Sequence, residues 1–361
     1  MDLLRAKREI MTTNLKSATA MQAQLDVERR MVSFDSYDMT VRQIYEMFEE
    51  KAIFVPPEYQ RQFVWDEARE SELIESILLG IPVPSIFMAT NADATWEIVD
   101  GVQRISTLVH FMSEGEMLGR VNRFTSLKIK DLEKLTEFNG QTYKTIPKSI
   151  QLMFQTRPIR VTVLNDKSDL NVRFDLFERL NTGGVSLTNQ EIRNCIFRGQ
   201  FNDQLKRLAR LPNFLTAVRL RESEYQNGTA EEYVLRFFAY LEKREEFDHS
   251  VKGFLNDYMK VNSAKKISPA SVSLFKASMA ELAGAFPNGI TRGQASTTSA
   301  VLYEALAIGV ADAIREKVAI HRPKLTALVS DVRLRKLTTG ATNSRRMLVD
   351  RIAYVKNHLS T

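Results

Sequence analysis

From about residue 166 to the C-terminus, apolar residues recur at helical spacing almost without a break, over 201–210, 230–243, 250–260, 269–286, 296–315, 319–337 and 344–358. A chain with that period buries its apolar stripes helix against helix. The preceding stretch reads differently. Short β-type runs at Ile53–Val55, Ile86–Met88, Trp96–Val99 and Pro158–Leu164 alternate with helical segments. Two such patterns in 361 residues imply an α+β protein. We expect an N-terminal helical arm over 1–34, a small α/β domain over 35–165 and a larger all-helical domain over 166–361.

Local signals place several elements. Asp38 or Thr40 caps a helix running to about Lys51, with Val41, Ile44, Tyr45 and Phe48 on its inner face. Asp66 caps a second helix ending at Gly80, with Leu73, Ile74, Ile77 and Leu78 buried. Thr188 starts a third, with Glu191 placed for a capping box. Residues 1–33 look helical without a strong stripe, which suits an oligomerising arm.

Composition removes several classes of function. At 44% hydrophobic the chain is too apolar to be disordered throughout. No apolar run reaches the roughly 18 residues that span a bilayer, and the most apolar stretch, 76–89, is broken by Pro82 and Pro84. The N-terminus is charged from Asp2 onward and lacks the apolar core of a signal peptide. A soluble cytoplasmic protein is expected. Cys195 is the single cysteine, so no internal disulfide can form; with Ile192 and Ile196 it lies on an apolar helical stripe and reads as a small buried residue. The four histidines are far apart in sequence and have no cysteine partners, which argues against structural zinc. GxxxxGK[ST], GxGxxG, GxSxG and HExxH are all missing, which excludes a Walker-type nucleoside triphosphatase.

Net charge is +6, unevenly spread. Residues 315–361 hold 11 Lys or Arg against Glu316, Asp331 and Asp350, so this segment is +8 and the rest of the chain −2. Such a face suits a polyanion, because each neutralised phosphate releases counterions; it equally suits a solvated helix surface. Arg333, Arg335, Lys336, Arg345 and Arg346 are the candidate DNA contacts. Arg193, Arg198, Lys206, Arg207 and Arg210 form a weaker basic group.

Three constellations carry chemistry. The run from Pro57 to Trp65 gathers Tyr59, Gln60, Arg61 and Trp65 between a strand and a helix. Arg61 can fork onto a phosphate or carboxylate, and Trp65 offers a flat face to a base; the same residues can plug a core. Asp100, Gly101, Val102, Gln103 and Arg104 lie where a strand runs into a helix. Helix starts expose unpaired N–H groups and bind anions, Gly101 permits close backbone approach, and Arg104 adds a fixed cation. Asp100 fits there if it holds Mg²⁺, positions water or orients Arg104; alternatively it only caps the helix. Asn181, Thr182, Gly183 and Gly184 can form an anion-binding nest or simply a turn between helices. Glu191, Arg193 and Asn194 could face the same cleft.

These pieces occur in a recognisable order: YQRQFVW, ESILLGIPVPSIFM, EIVDGVQRISTL, then FERLNTGGVSLTNQEIRNCIFRG. The series resembles the N-terminal domain family of GmrSD-type restriction systems. The resemblance implies a ParB/sulfiredoxin-like α/β domain, with nucleoside triphosphate and Mg²⁺ bound near Asp100–Arg104 and DNA as a partner. It carries the family's Asp-Gly-Gln-Gln-Arg motif onto Asp100–Arg104, its Tyr-Gln-Arg motif onto Tyr59–Arg61 and its Asn-Thr-Gly-Gly motif onto Asn181–Gly184. Asp100 and Arg104 are then the catalytic pair and Asp100 the metal ligand. Tyr59, Gln60, Arg61, Trp65, Gly101, Gln103 and Asn181–Gly184 hold the nucleotide. Val102 replaces a Gln of the motif, which removes a polar side chain and puts hydrolysis in question. On the same resemblance, the His-containing nuclease domain of longer relatives has no counterpart among these residues, and cutting of DNA is expected to need a partner.

The leading expectation is therefore a nucleotide-binding, NTP-hydrolysing regulatory subunit of a prokaryotic antiphage system, sensing modified phage DNA and controlling a partner effector or nuclease. A DNA-binding protein without turnover and a scaffold acting through protein contacts are the alternatives.

Overall fold

In the computed structural model of the chain, the residues described are 19–26, 33–55, 65–91, 93–165, 170–180 and 187–360. They divide into two compact units, Met1–Ser186 and Leu187–Thr361. The protein is α+β, as its periodicities imply.

In the first unit, helix α1 (19–26) precedes β1 (Phe34–Thr40). Then come α2 (Val41–Glu49), β2 (Ile53–Phe54), α3 (Glu67–Leu79), β3 (Ile86–Thr90), β4 (Trp96–Asp100) and α4 (Val102–Met112). A short α5 (Glu116–Gly119), α6 (Lys148–Gln155), β5 (Pro158–Leu164) and α7 (Leu170–Leu180) complete it. The five strands form one mixed sheet in the order β1-β5-β3-β4-β2. β1 pairs antiparallel with β5 from Phe34↔Leu164 to Thr40↔Pro158, while β5–β3 and β4–β2 are parallel and β3–β4 antiparallel. Sheet residues Ile86, Met88, Ile98, Val161 and Val163 and helix residues Val41, Ile44, Ile74, Ile105 and Leu108 belong to the core.

Caps set the helix starts as their residue types dictate. Thr40 forms a capping box with Gln43 at α2, and Asp66 accepts from the Arg69 amide at α3. Gly80 closes α3 at φ 74°, where the Arg157 guanidinium lies over it. Arg173 of α7 donates to the Thr90 carbonyl, which ties this helix to the sheet of the first unit.

β1 occupies the stretch where the arm gives way to the first domain, and the sequence offers no strand signal there. Its residues are mostly exposed along this sheet edge, so no apolar alternation marks them. Residues 1–18 and 27–32 of the expected arm lie outside those described.

The second unit is helical: α8 (Asn189–Ile196), α9 (Gln200–Leu208), α10 (Pro212–Ala217), α11 (Glu222–Gln226), α12 (Thr229–Lys243), α13 (Val251–Asn262), α14 (Pro269–Ala285), α15 (Ala300–Arg315), α16 (Arg322–Leu328), α17 (Val332–Leu337) and α18 (Arg345–Ser360). Helix α15 is buried almost along its whole length and packs against α12, α14 and α18. Its contact with α18 is close at Gly309, where an added Cβ would stand 2.6 Å from Val355. The expected single helix over 319–337 is two, because Asp331 leaves the helical path and caps α17 by accepting from the Leu334 amide at 2.7 Å. The apolar stripe continues through Leu325, Leu328 and Leu334, so periodicity alone does not show the break.

A ladder of buried charge crosses this unit. Arg193 donates to Glu232 at 2.9 Å, Arg236 to Glu232 at 2.8 Å and to Glu304 at 2.5 Å, and Arg351 to the other oxygen of Glu304. Burial pushes the Arg193 guanidinium down. Burial also opposes charge on Arg236, but Glu304 and Glu232 hold it above its ordinary value.

Candidate functional site

Strand β4 delivers Asp100 to the start of α4, and Gly101 makes the turn at φ 100°, ψ 16°. That conformation suits glycine. No side chain caps the helix, so its first-turn N–H groups and positive dipole end are left to solvent or a ligand.

Arg104 turns back over this junction. Its Nη2 donates to Asp100 Oδ2 at 2.6 Å, and its Nη1 to the carbonyls of Pro84 at 2.7 Å and Ser85 at 3.0 Å. The Arg104 side chain is 11% exposed and that of Asp100 30%. The space a Cβ would take at Gly101 is flanked by Ile86 at 3.1 Å and Arg104 Nη2 at 3.2 Å. The glycine thus makes room for the arginine. Arg104 is a fixed cation that neutralises Asp100 and ties the segment before β3 to the start of α4. Val102 is buried in the core.

Gln103 points elsewhere: its Oε1 accepts from the Trp65 amide at 3.4 Å. The Trp65 carbonyl accepts from Arg123 Nη2 at 2.7 Å, and the Trp65 ring carries the Arg69 guanidinium at 4.9 Å. Trp65 is therefore held on both sides of its backbone. Arg123 also donates to Glu70 Oε1 at 2.7 Å, and Glu70 Oε2 meets His110 Nδ1 at 2.7 Å. His110 Nε2 donates to the Thr125 carbonyl at 2.8 Å. Glu70 and His110 are buried. Sequence reading missed this cluster. The only available signal is a charged residue at position 70, within one turn of the apolar stripe of α3.

Tyr59, Gln60 and Arg61 lie outside the described residues, as do Asn181, Thr182, Gly183 and Gly184. Asp100, Gly101, Gln103, Arg104 and Trp65 are brought together around the start of α4. Glu191, Arg193 and Asn194 do not line a cleft as anticipated. Glu191 closes the capping box of α8 with Thr188, Arg193 donates to Asn256 at 2.8 Å and to Glu232, and Asn194 accepts from Gln190 at 3.0 Å. All three are buried, and Cys195 beside them is a buried thiol, as its stripe suggests. With Arg193 in the core, the basic group at 193–210 is smaller at the surface than its sequence implies.

Among the described residues no three His, Cys, Asp or Glu side chains gather as a metal site would require. Nor is any helix there long and apolar enough to cross a membrane. At the junction, Asp100 alone of the motif offers a carboxylate. Mg²⁺ in nucleotide sites commonly takes one or two carboxylates and completes its shell with phosphates and water, so this donor set fits a metal brought with its nucleotide.

In the second unit, Arg333 sits 5.2 Å above the Tyr354 ring, and Arg335 and Lys336 are exposed on the same short helix. Arg345 donates to the Phe247 carbonyl at 3.1 Å, and Arg346 lies 3.6 Å from Asp350.

Residues 44–198 match the family model described as the GmrSD restriction endonuclease, N-terminal domain. The match agrees with the resemblance of the motifs within that segment. Neither the curated proteins nor the solved structures include a match.

Proposed function

From the GmrSD restriction endonuclease N-terminal domain at residues 44–198, we propose that the chain serves a restriction-like phage-defence system, binding a nucleoside triphosphate with Mg²⁺ at the start of α4 and contacting DNA to control a partner effector. One observation carries the nucleotide half: α4 begins with no side-chain cap, beside a carboxylate already paired to an arginine that two backbone carbonyls hold in place.

The chemistry follows from that pairing. A phosphate tail would accept from the first-turn amides of α4. An unpaired carboxylate beside it would oppose this by about 1–4 kcal/mol at 4 Å, depending on the local dielectric. Arg104 cancels most of that repulsion and orients the Asp100 carboxylate. The remaining Asp100 oxygen would hold the metal, which supplies charge neutralisation on the phosphates. Gln103 accepts from the Trp65 amide and so holds the residue that precedes the α3 cap Asp66. Hydrolysis would place the attacking water near Asp100.

Binding of the nucleotide to the folded chain stabilises it by about 2.7 kcal/mol at a hundredfold excess over Kd. Thermal unfolding of the full chain with each NTP and Mg²⁺, alongside phosphate release, tests the reading. No shift and no release with any of the four removes it. Arg104→Ala is a poor probe, because it also frees the Pro84–Ser85 segment; Asp100→Asn keeps the shape and removes the metal ligand.

DNA contact has its own support in the exposed cations of 315–361. It would hold even without turnover, and salt-dependent DNA binding in the absence of nucleotide would favour that simpler reading. Solution mass with and without residues 1–33 tests whether the arm makes an oligomer.

A further inference from the structure

The 11 basic residues of 315–361 are not equivalent once their partners are known. Arg351 is buried on Glu304, Arg322 pairs with Glu281 at 3.0 Å, Lys356 with Glu316 at 2.6 Å and Arg346 with Asp350 at 3.6 Å. Arg345 is spent on the Phe247 carbonyl. Arg315, Lys317, Lys324, Arg333, Arg335 and Lys336 remain exposed, with no carboxylate ion pair seen among the described residues, and Lys324, Arg333 and Lys336 lie on the stretch from α16 to α17.

Two of these flank one concavity. A cleft of about 430 Å³ is lined by Lys324, Ala327, Leu328, Ser330, Asp331 and His358. Arg333 lies beside it, stacked on Tyr354, whose ring in turn meets that of His358 at 5.0 Å. A guanidinium stacked on a ring is held in place while its edge N–H groups stay open to an acceptor. Lys336 follows Arg333 by three residues on α17 and so shares its face. Arg335, on the other side, neighbours Arg292.

Asp331 is the one carboxylate of the cleft, and it is occupied. It accepts from the Leu334 amide and from the Tyr354 hydroxyl, and the Leu334 amide first among these holds it below the usual carboxylate range. Both donors offset part of its charge within the cleft that Lys324 also lines.

We propose that this cleft, with Lys324, Arg333 and Lys336 at its rim, is where the helical unit grips the phosphodiester backbone of DNA. The proposal rests on the DNA-binding reading and names its site. It places the contact on α16, α17 and the end of α18, and assigns Arg345 and Arg346 a minor share. Ser330 adds a hydroxyl donor at the same rim, and the Tyr354 ring holds the Arg333 guanidinium at 5.2 Å.

The test is fluorescence anisotropy of the full chain on a short labelled DNA duplex, repeated over a range of salt. Lys324→Gln, Arg333→Gln and Lys336→Gln should each lower the slope of log affinity against log salt by about 0.9, the value for one lost phosphate contact. Arg322→Gln and Arg345→Gln should leave the slope unchanged. The substituted side chains are exposed, and unchanged thermal unfolding of each variant confirms an intact fold. A wild-type chain that binds no duplex, or binds it without salt dependence, overturns both the site and the DNA reading. Salt-dependent binding whose slope survives all three rim substitutions but falls in the double variant R345Q/R346Q overturns the site alone. If free ATP competes as well as unlabelled duplex at equal phosphate, the cleft is a nucleotide site and the proposal fails.

Discussion

Glu304 is the residue on which the helical unit's buried charge turns, and neutralising it gives a test with a definite size. It is fully enclosed within α15 and accepts from Arg236 and Arg351. Glu304→Gln keeps volume and removes the charge. Arg236 keeps Glu232, to which it donates through Nε at 3.0 Å and Nη2 at 2.8 Å. Arg351 has no such second carboxylate. It is 2% exposed, its Nη1 reaches only the Thr342 carbonyl at 3.0 Å, and its Nε has no partner. The variant therefore strands one buried guanidinium, which costs about 3–5 kcal/mol. At roughly 2–4 °C per kcal/mol for a unit of this size, the transition falls by about 10 °C. Scanning calorimetry of the full chain reads it directly. Adding Arg351→Met should recover most of the loss, since the stranded cation leaves with its partner. A single-variant loss under about 1 kcal/mol, or a double variant as unstable as the sum of its parts, would refute the reasoning.

Three further outcomes follow from the same geometry. Gly101→Ala should destabilise by about 1–3 kcal/mol in urea unfolding, because φ 100° is strained for alanine and its methyl would press on Ile86 and Arg104. Gly309→Ala sets helix propensity, worth about 1 kcal/mol in favour, against a methyl 2.6 Å from Val355; overpacking at about 1–3 kcal/mol should win, and a raised Tm would show that α18 can move aside. Titration should be asymmetric. Burial opposes charge on Glu232, but Arg236 and Arg193 bring it below 4.5, so its contribution is complete above that value and drains away as pH falls beneath it. Burial raises Tyr233, Tyr240, Tyr258 and Tyr303 above 10.0, so their contribution is complete below that pH and is lost as pH climbs past it. Phenolate absorbance should therefore show these four ionising together with unfolding; gradual titration near pH 10 would contradict their burial.

What could be read from the sequence was local, and what could not was tertiary. Thr40 with Gln43 and Thr188 with Glu191 are capping boxes spelled within four residues, and the structure forms both. The strand–Gly–helix turn at Gly101 is equally local. The destination of Arg104 was not: it ends on carbonyls 19 and 20 residues earlier, and nothing in the motif says so. Glu70, His110 and Arg123 lie on separate segments, and only the packing of α3 against α4 makes them a cluster. Charge composition misled in one respect. It counts Arg193 and Arg351 with the surface cations, yet both are buried on carboxylates contributed by other helices.

The pairing of Arg104 with Asp100 also makes the junction's response to substitution depend on the ligand. In the native chain the two side chains cancel at 2.6 Å, and an arriving anion meets chiefly the dipole end of α4. Asp100→Asn leaves Arg104 uncompensated beside those amides while its two carbonyl partners still hold it in place. A metal-free anion should then bind more tightly, by up to the 1–4 kcal/mol of repulsion that the carboxylate would exert if unshielded. A nucleotide carrying Mg²⁺ should bind more weakly, because the metal loses its protein oxygen. Isothermal titration of wild type and D100N with inorganic triphosphate, with and without Mg²⁺, separates the two. Opposite shifts mark Asp100 as a metal-side ligand and Arg104 as its counter-ion. Equal weakening in both would mean that the carboxylate merely holds the turn together, and the nucleotide assignment of this junction would fall with it.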